Sequence, residues 1–326
     1  MSIIEKAASR IGLQRDGKSA DPVASPVNPT VPSTTPVAAA PQAVVPPVVT
    51  PAPAPAAAAA AVAAPAVAPV ADSTVHADTP APKFTARRVD VDLERMARLG
   101  MVTAPSGRTR IVEDFRVIKR PLLQRAFAAR MPGERPSNLI MVTSSLPGEG
   151  KTFCAINLAM SIAMELDHTV LLVDADVARP SVLKTLGVPE HRGLMDLLVD
   201  DKLDMADVML RTNVDTLSLL PAGTRTPRAT ELLASTTMSS LVSEIANRYP
   251  DRIVIFDSPP LLLTSESRVL ATHMGQIVMV VEAQTTTQHA VKDALHQLDG
   301  CPNVNLIYNK TRDFPGIEEA YDYNYG

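Results

Sequence analysis

The fold is decided by the stretch LIMVTSSLPGEGKT, residues 139–152. Its first half is a short apolar run of the kind that forms a buried parallel strand, and the run breaks at Pro147 and Gly148. The stretch ends in Gly-Lys-Thr, and the apolar residues from Phe153 onward predict a helix. A strand, a glycine-containing loop, Gly-Lys-Thr and a helix, in this order, are typical of a phosphate-binding P-loop.

The residue types in this loop suit the binding of a nucleotide. Glycines allow successive backbone N–H groups to turn toward phosphate oxygens, and the helix N-terminus adds partial positive charge there. Lys151 is predicted to reach the β- and γ-phosphates, and the hydroxyl of Thr152 is predicted to ligate Mg²⁺. Ser145 stands where the usual motif has its first glycine, and a glycine-rich turn before a core helix is the alternative interpretation. The residues expected to contact the nucleotide are Pro147, Gly148, Glu149, Gly150, Lys151, Thr152 and Phe153.

Composition narrows the classes of function. The chain has 326 residues, 46% of them hydrophobic, which is enough for at least one sizeable domain. Its net charge of −4 and its 3% aromatic content, without tryptophan, give no reason to expect a nucleic-acid partner. The sequence contains no secretory signal pattern and no run of about 18 apolar residues free of proline and charge. We therefore expect a cytoplasmic location and no transmembrane helix.

The sequence is expected to divide into five segments of different character. A capping box at Ser2 and Glu5 opens a short amphipathic helix, which either frays or docks on a partner. Proline and alanine dominate the next segment, which cannot bury enough side chain to offset its ordering entropy. The segments are the N-terminal helix (1–17), a disordered linker (18–86), a basic helical segment (87–135), the P-loop domain (136–314) and a tyrosine-rich tail (315–326).

The basic segment and the residues just before it carry an excess of positive charge. Residues 83–135 contain thirteen Lys and Arg side chains against six Asp and Glu, a local net charge of +7. A solvated helical surface explains this excess, and so does contact with an anionic membrane surface or with an acidic neighbouring subunit.

The pattern from residue 137 onward sets the fold class. Apolar strands alternate with amphipathic helices, which predicts an α/β fold with a doubly wound, mainly parallel sheet, and together with the P-loop this indicates a P-loop NTPase. In such sheets the ligand lies at the carboxyl ends of the strands, so the residues that follow each strand are the candidates for the site. The predicted strands are 139–143, 169–173, 216–220, 253–256, 276–281 and 305–308. The predicted helices are 151–165, 192–199, 229–248, 266–273 and 287–298.

Three aspartates follow two of these predicted strands. Asp174 and Asp176 come after strand 169–173, and Asp257 comes after strand 253–256. Four apolar residues followed by an aspartate form a Walker B pattern, whose carboxylate holds Mg²⁺ or its waters. An aspartate at a strand end usually forms a turn or caps a helix, but three of them beside a P-loop favour a catalytic site.

Roles within this group follow from chemistry. We expect Asp174 to be the base that accepts the proton of the hydroxyl group that attacks the phosphate. Carboxylates in a low-dielectric site need a cation, and Mg²⁺, Lys151 and Arg179 are available for that purpose. The expected Mg²⁺ ligands are Thr152, Asp176 and Asp257.

The residues Asn-Lys-Thr-Arg (309–312) follow the last predicted strand. GTPases have Asn-Lys-x-Asp at the comparable position, where the aspartate reads guanine. Arg312 replaces that aspartate here, which favours ATP over GTP. Asn309 is a candidate contact for adenine, and an ordinary turn after the strand is the alternative.

The C-terminal tail concentrates tyrosine. Three of the five tyrosines of the chain lie among its last six residues, at alternate positions in a polar segment with no core to fill. Such a tail is a candidate substrate for phosphoryl transfer, with an edge strand or a segment of no particular role as the alternatives. The expected phosphoacceptors are Tyr321, Tyr323 and Tyr325.

Taken together, these motifs resemble those of the bacterial tyrosine kinase (BY-kinase) family. The stretch SSLPGEGKT (144–152) resembles the Walker A motif of that family, VDAD (173–176) its Walker A′ motif and IFDSPP (255–260) its Walker B motif. The tyrosine-rich tail resembles its autophosphorylation cluster. The short N-terminal helix, the proline-rich linker and the stretch DVARP (176–180) are most similar to the exosortase-associated tyrosine autokinases of exopolysaccharide gene clusters.

The oligomerisation motif of the family, E-x-x-R-x-x-R, is similar to residues Glu113, Arg116 and Lys119. Lysine stands in place of the final arginine and cannot make the bidentate fork of a guanidinium. The three residues are three positions apart, so we expect them along one side of a helix that meets a neighbouring subunit.

The resemblance implies an ATP-dependent protein-tyrosine autokinase with ATP and Mg²⁺ as cofactors. It implies phosphorylation of the tail between the subunits of a ring-shaped homo-oligomer, and regulation of exopolysaccharide synthesis or export. It also implies a separate inner-membrane polysaccharide co-polymerase, or chain-length-determinant protein, that activates the kinase and holds it at the membrane periphery. The implied catalytic residues are Lys151, Asp174, Asp176 and Asp257.

Two other functions remain open at this point. The first is a positioning ATPase of the MinD or ParA type, whose signature lysine would stand at the position of Leu146. The second is a non-catalytic, nucleotide-gated scaffold of a polysaccharide export complex. Detection of phosphotyrosine after incubation with γ-labelled ATP and Mg²⁺ separates the three hypotheses.

Overall fold

The computed structural model describes residues 87–103, 107–249, 251–301 and 303–311. The predicted N-terminal helix, the predicted linker, Arg312 and the tyrosine-rich tail lie outside the described residues.

A sheet of eight strands forms the centre of the described part of the chain. In chain order its strands are β1 (Arg87–Arg88), β2 (Leu139–Ser144), β3 (Thr169–Asp174), β4 (Leu210–Arg211), β5 (Leu217–Leu220), β6 (Arg252–Asp257), β7 (Gln276–Glu282) and β8 (Val304–Asn309). In space they follow the order β1-β4-β5-β3-β6-β2-β7-β8, and every neighbouring pair is parallel except β4 and β5. The predicted mainly parallel sheet is therefore confirmed.

Ten helices accompany the sheet within the described residues. Among them, none has the length and apolarity needed to span a lipid bilayer. They are α1 (Leu93–Arg98), α2 (Arg110–Ala126), α3 (Lys151–Ala163), α4 (Val182–Leu186), α5 (Leu194–Val199), α6 (Met205–Val208), α7 (Ala229–Leu233), α8 (Thr236–Arg248), α9 (Ser265–Ala271) and α10 (Gln288–Gln297).

Apolar residues cover both faces of the sheet. Ile140 and Met141 are neighbours on β2 but belong to different buried clusters, because successive side chains of a strand point to opposite faces. Strand β2 lies between β6 and β7 and is buried along its whole length, as a continuous apolar run predicts. The P-loop therefore leaves the sheet from a fully buried, central strand.

Helix α3, which follows the P-loop, is buried over ten of its thirteen residues. Helix α2 packs on it, and Lys119 of α2 is only 7% exposed. The Lys119 Nζ donates to the carbonyl of Ser161 at 2.6 Å and pairs with Glu165 Oε1 at 2.5 Å. The Asn157 Oδ1 of α3 accepts the N–H of Val102 at 2.6 Å. These bonds attach the basic segment directly to the helix that carries the P-loop lysine.

The structure contains elements that no sequence pattern predicts. Strands β1 and β4 have two residues each, and helices α4 and α6 have five and four, too few to show a period. The predicted helix 229–248 is two helices, α7 and α8. The break occurs because the Ser235 side chain caps α8 by accepting the N–H of Met238 at 3.1 Å.

Candidate active site

The P-loop, residues 145–150, connects the end of β2 to the start of α3. Gly148 and Gly150 have φ angles of 87° and 97°, in the left-handed region that favours glycine. Gly150 is the N-cap of α3, so the loop brings the N-terminus of this helix to the carboxyl end of the sheet. Free N–H groups and positive dipole charge at that point suit phosphate.

Glu149 holds the P-loop from within. Its side chain is 2% exposed, and its Oε2 accepts the N–H of Leu146 at 2.6 Å. Its Oε1 accepts the hydroxyl of Thr286 and, at 3.5 Å, the N–H of Glu282. The carboxylate is therefore engaged by the loop itself and by the segment after β7. The predicted contact of Glu149 with the nucleotide stays a prediction. Because the carboxylate is already engaged, the group left for that contact is the backbone N–H.

The residues at the end of β8 also hold the loop. The Asn309 Nδ2 donates to the carbonyl of Glu149 at 2.8 Å. The Lys310 Nζ donates to the carbonyl of Gly148 at 2.8 Å and pairs with Glu282 Oε2 at 3.0 Å. The Asn309 amide is thus directed at the P-loop, and its predicted contact with adenine stays a prediction.

The structure brings the predicted catalytic residues together beside the loop. Asp174 and Asp257 are paired residues on the neighbouring strands β3 and β6, and both are buried. The Lys151 Nζ lies 2.8 Å from Asp176 Oδ2 and 3.8 Å from Asp257 Oδ1. The Thr152 hydroxyl donates to Asp257 Oδ2 at 2.7 Å. Three carboxylates and one ammonium group therefore share one buried site.

Asp174 is the most unusual carboxylate of this group. Its Oδ2 accepts the N–H groups of Ser181 and Val182, both at 3.0 Å. Its Oδ1 is buried and has no hydrogen-bond partner among the described residues. Burial, and after it the negative charge of Asp257, raise the pKa of Asp174 to about 7. The group therefore titrates much closer to neutral pH than an ordinary aspartate does.

The charges of Asp257 and Lys151 depend on each other. Burial raises the pKa of Asp257 to about 6, although Lys151 and Thr152 act in the opposite direction. Burial also acts to lower the pKa of Lys151, but Asp257, Asp176 and Asp174 outweigh it and raise that pKa above its usual value. Lys151 therefore stays charged, and one cation faces three acids.

The oxygen atoms at this site fit a magnesium ion. The Oδ1 atom of Asp257 is buried without a hydrogen-bond partner among the described residues, and Mg²⁺ prefers oxygen ligands. The Thr152 hydroxyl lies between Asp257 Oδ2 and the Ser181 hydroxyl, 3.1 Å away. In the described part of the chain, no group of three or more His, Cys, Asp or Glu side chains is arranged to hold a metal alone. This agrees with an ion that keeps waters and binds substrate phosphates.

Other predicted residues lie at the rim of the site. Arg179 is exposed and contributes its backbone N–H, which donates to Asp176 Oδ1 at 3.0 Å. Its guanidinium makes no ion pair within the described residues, so Lys151 alone supplies a cation here. Phe153 is half-buried and packs against the core, whereas Pro147 is exposed.

The predicted oligomerisation residues do not share one face of α2. Glu113 and Arg116 are exposed and pair with each other, whereas Lys119 is buried against α3. Each step of three residues turns about 60° around a helix, so two steps bring Lys119 about 120° away from Glu113. The expectation of a common face is therefore wrong for Lys119. Contact of Glu113 and Arg116 with a neighbour stays a prediction.

Three residues of the site are missed by the sequence analysis. They are Ser181, whose N–H binds Asp174, and Thr286 and Lys310, which hold the P-loop. Lys310 stands in the Asn-Lys-Thr-Arg stretch, which gives it a recognisable position. Thr286 lies in a run of three threonines without a signal for this role.

Comparison with known proteins assigns the chain to a family. Residues 137–308 match the family model of the AAA domain, which covers just over half of the chain, and the chain belongs to that family. The tyrosine-protein kinase YwqD of Bacillus subtilis is 32% identical over 168 residues, which are 52% of this chain and 69% of YwqD. This chain belongs to the bacterial tyrosine kinase family. The predicted family and the P-loop fold are thereby confirmed, and the match supports nucleotide binding.

Two further proteins resemble the kinase. The kinase domain of VpsO is 26% identical in sequence, with a TM-score of 0.52, and the match covers 62% of this kinase and 96% of that domain. The succinoglycan biosynthesis transport protein ExoP of Rhizobium meliloti is 29% identical over 265 residues. The kinase spans 66% of CapB of Staphylococcus aureus, 69% of YwqD and 32% of ExoP. The matching region is thus only part of each relative.

Proposed function

We propose that this kinase transfers the γ-phosphoryl group of ATP to tyrosines in the C-terminal tail of a neighbouring copy. The observation that carries the proposal is Asp174, a buried carboxylate with one unpartnered oxygen in the site that holds Lys151. A carboxylate with a pKa of about 7 accepts a proton at neutral pH better than an ordinary aspartate does. The attacking tyrosine hydroxyl, with an unperturbed pKa of about 10, needs such an acceptor as the O–P bond forms.

The remaining residues of the site are proposed to bind and orient the nucleotide. The P-loop N–H groups and the N-terminus of α3 bind the phosphates, and Lys151 turns from Asp176 to the β- and γ-phosphates. Asn309 contacts the adenine from its place beside the loop. Mg²⁺, when bound, supplies positive charge against the oxygens of the transferred group. Thr152, Asp176 and Asp257 would hold the ion.

Transfer between copies is proposed from the reach of the tail. From Pro315 the tail has about 11 residues, at most roughly 35–40 Å when extended, which is enough to cross a subunit boundary. A ring-shaped homo-oligomer brings tail and site together. Glu113 and Arg116, exposed on α2, are the charges available for the contact between subunits.

Phosphorylation is proposed to loosen the oligomer. Each phosphate adds about −1.5 to −2 charges, so modification of Tyr321, Tyr323 and Tyr325 adds roughly 5 negative charges. The tail already holds three acids, and the site that binds it contains three aspartates. Repulsion between them expels the modified tail, and the copy that carries it leaves the ring.

The cellular role proposed is regulation of exopolysaccharide synthesis or export. By its name, ExoP acts in the biosynthesis and transport of succinoglycan, and it resembles this kinase over 77% of the chain. The proposed partner is a separate inner-membrane polysaccharide co-polymerase, which activates the kinase and holds it at the cytoplasmic side of the membrane. The segment 1–17 is a candidate for docking on that partner.

The test mixes two variants that are each unable to label themselves. One is Lys151→Met, which keeps its tail. The other has an unchanged catalytic site but is truncated after residue 320. With γ-labelled ATP and Mg²⁺, the Lys151→Met tail should become labelled on tyrosine. A Lys151→Met recipient with phenylalanine at all three tail tyrosines is the control, and it should stay unlabelled.

Two results would contradict this proposal. The first is absence of phosphotyrosine in the wild-type chain, which would remove the kinase activity. The second is an unlabelled Lys151→Met tail while the wild-type chain labels itself at a rate independent of its concentration. That result would place transfer within one chain and remove the switch of assembly.

A further inference from the structure

A second polar cavity lies at the opposite end of the sheet from the P-loop. Its volume is about 320 Å³, and it lies against the first residues of β3 and β6, whereas the P-loop follows the last residue of β2. It reaches the surface, since two of its lining arginines are exposed. The arginines that line it are Arg88, Arg211 and Arg252, and we call it the arginine cavity.

The strand register places these arginines on one face of the sheet. Arg88 on β1 is paired with Arg211 on β4, and Arg211 is paired with Ser218 on β5. Thr169 on β3 is paired with Arg252 on β6. Residues paired across neighbouring strands point to the same face, and all five line the cavity. The backbone itself therefore holds three guanidinium groups around one space.

The arginine cavity carries more positive than negative charge. Its lining contains one carboxylate, Asp215, which lies 3.9 Å from Arg88 with both side chains largely exposed. Among the described residues, no carboxylate forms an ion pair with Arg211 or Arg252. Like charges on directly opposite strand positions, such as Arg88 and Arg211, are destabilising unless an anion lies between them.

Arg252 is held in place by contacts that leave part of its guanidinium free. Its Cζ lies 3.9 Å from the centroid of the Tyr249 ring, and its Nη1 lies 4.0 Å from the sulfur of Met209. Its Nε is buried and has no hydrogen-bond partner among the described residues. A buried donor without an acceptor is costly, so the described residues leave this guanidinium incompletely satisfied.

The pKa of Arg252 responds mainly to the burial of its side chain. Burial lowers it below its usual value, and Arg248 and Arg211 act in the same direction. Tyr249 and Asp251 act in the opposite direction without cancelling the shift. Arg252 is thus a partly buried guanidinium for which no carboxylate among the described residues forms an ion pair.

An apolar recess adjoins the arginine cavity and shares Arg211 and Arg252 with it. The recess is small, about 60 Å³, so an anion held by these two arginines can place the edge of an apolar substituent in it. The side chains that line the recess besides these two arginines are the apolar Leu171, Met205, Ala206, Met209, Ile245 and Tyr249 and the ion pair of Glu244 with Arg248.

We propose that the arginine cavity binds a phosphate monoester that carries an aromatic or other apolar substituent. A phosphate monoester has about −1.5 to −2 charges and three acceptor oxygens, which matches the excess of three guanidinium groups over one carboxylate. A carboxylate ligand has a single charge and leaves one guanidinium without a partner. None of the residues that line the cavity or the recess belongs to the P-loop site, so this second site does not depend on phosphoryl transfer.

The test is calorimetric titration of the full chain with phenyl phosphate at constant ionic strength. Lys151→Met serves as the background, because the P-loop also binds phosphate. In this background we expect one equivalent to bind, and we expect Arg211→Gln and Arg252→Gln each to weaken binding at least tenfold. Arg98→Gln changes an exposed arginine outside the cavity and should leave the affinity unchanged.

Three results would overturn the proposal. They are no binding in the Lys151→Met background, equal affinity in all the arginine variants, and equal affinity for inorganic phosphate and phenyl phosphate. The third concerns the recess, since inorganic phosphate lacks the substituent and should bind at least tenfold more weakly. Arg252→Lys keeps the charge and loses the Nε donor, so a folded Arg252→Lys chain that binds like wild type would also contradict the role of Arg252.

A phosphotyrosine peptide distinguishes two sources of the ligand. The peptide has the sequence of residues 318–326 with a phosphate on Tyr323. Binding with the same dependence on Arg211 and Arg252 means that phosphotyrosine of a protein occupies the cavity. Binding of phenyl phosphate without binding of the peptide means that a small molecule does. Both results support a phosphate-monoester site.

Discussion

The side-chain nitrogen of Asn309 lies 2.1 Å from the point that a β-carbon on residue 150 would occupy. The same nitrogen donates to the carbonyl of Glu149, so glycine at position 150 is what allows β8 to hold the P-loop. Gly150 also has a φ of 97°, a conformation that is strained for any other residue. A side chain at this position therefore collides with Asn309 in addition to straining the backbone.

Gly150→Ala is expected to weaken ATP binding at least tenfold, because Asn309 must move and the P-loop loses its shape. The free energy of unfolding should fall by about 1–3 kcal/mol through backbone strain. Gly133→Ala is a matched control, since Gly133 has a φ of 87° but no atom within 4 Å of the added carbon. Calorimetric titration with a non-hydrolysable ATP analogue compares the affinities of the two variants, and denaturant unfolding compares their free energies of unfolding. Unchanged affinity in Gly150→Ala would show that β8 does not control the loop.

Lys151→Met is expected to reduce tyrosine phosphorylation at least a hundredfold while the domain stays folded. The ammonium group faces Asp176 and Asp257, and its removal leaves phosphate oxygens without their cation. The exposed Lys292 of α10 supplies the control Lys292→Met, which should keep full activity. Phosphotyrosine detection and circular dichroism check both variants. Normal labelling by folded Lys151→Met would remove Lys151 from the catalytic group.

Asp174→Asn is expected to flatten the pH dependence of stability in the nucleotide-free chain. The folded-state pKa of about 7 lies above the value of roughly 3.9 for an unfolded chain. Between about pH 4 and pH 7 the folded chain keeps a proton on Asp174 that the unfolded chain has lost. The free energy of unfolding therefore falls as the pH rises through this window. Asparagine carries no such proton, so the variant should be more stable than wild type at pH 8, by about 1–3 kcal/mol.

Denaturant unfolding at pH 5 and pH 8, with a chelator and without nucleotide, measures this difference. The remaining slope should come mainly from Asp257, whose pKa is about 6. The variant should also lose phosphorylation while keeping most of its ATP affinity. If Asp174→Asn abolishes nucleotide binding, the division between base and metal ligand is wrong.

The exposed and the buried charges of α2 are expected to have different roles, the first in assembly and the second in stability. Glu113→Ala with Arg116→Ala removes an exposed pair, so stability should change by less than about 1 kcal/mol while the oligomer dissociates. Lys119→Met should instead destabilise the fold by about 1–3 kcal/mol, because it leaves the Ser161 carbonyl without its donor. Light scattering and thermal unfolding distinguish the two effects. An unchanged mass in the double variant would leave Glu113 and Arg116 as surface charges.

The sequence predicts the catalytic group because parallel strands end at one edge of the sheet. Asp174 and Asp257 each follow an apolar run, and the register then places them side by side. No knowledge of side-chain packing is needed for that inference, since the backbone alone brings strand ends together.

Residues whose role depends on packing are predicted less well. The direction of Glu149 is set by Thr286 and Glu282, more than 130 residues away in sequence. The burial of Lys119 depends on how α2 crosses α3, which no periodicity in α2 specifies. The arginine cavity depends on β1 and β4, which have two residues each and show no strand pattern.

Lys310 joins the phosphate loop to the point where the C-terminal segment leaves the sheet. It directly follows β8, has a φ of 58°, which is uncommon for a residue with a side chain, and bonds to Gly148. Tension along the segment that continues from residue 311 acts first on this lysine and, through it, on the loop. Under the proposed transfer between copies, binding of the tail by a neighbour is therefore expected to disturb the P-loop of the copy to which the tail belongs, and so to weaken that copy's hold on its own nucleotide.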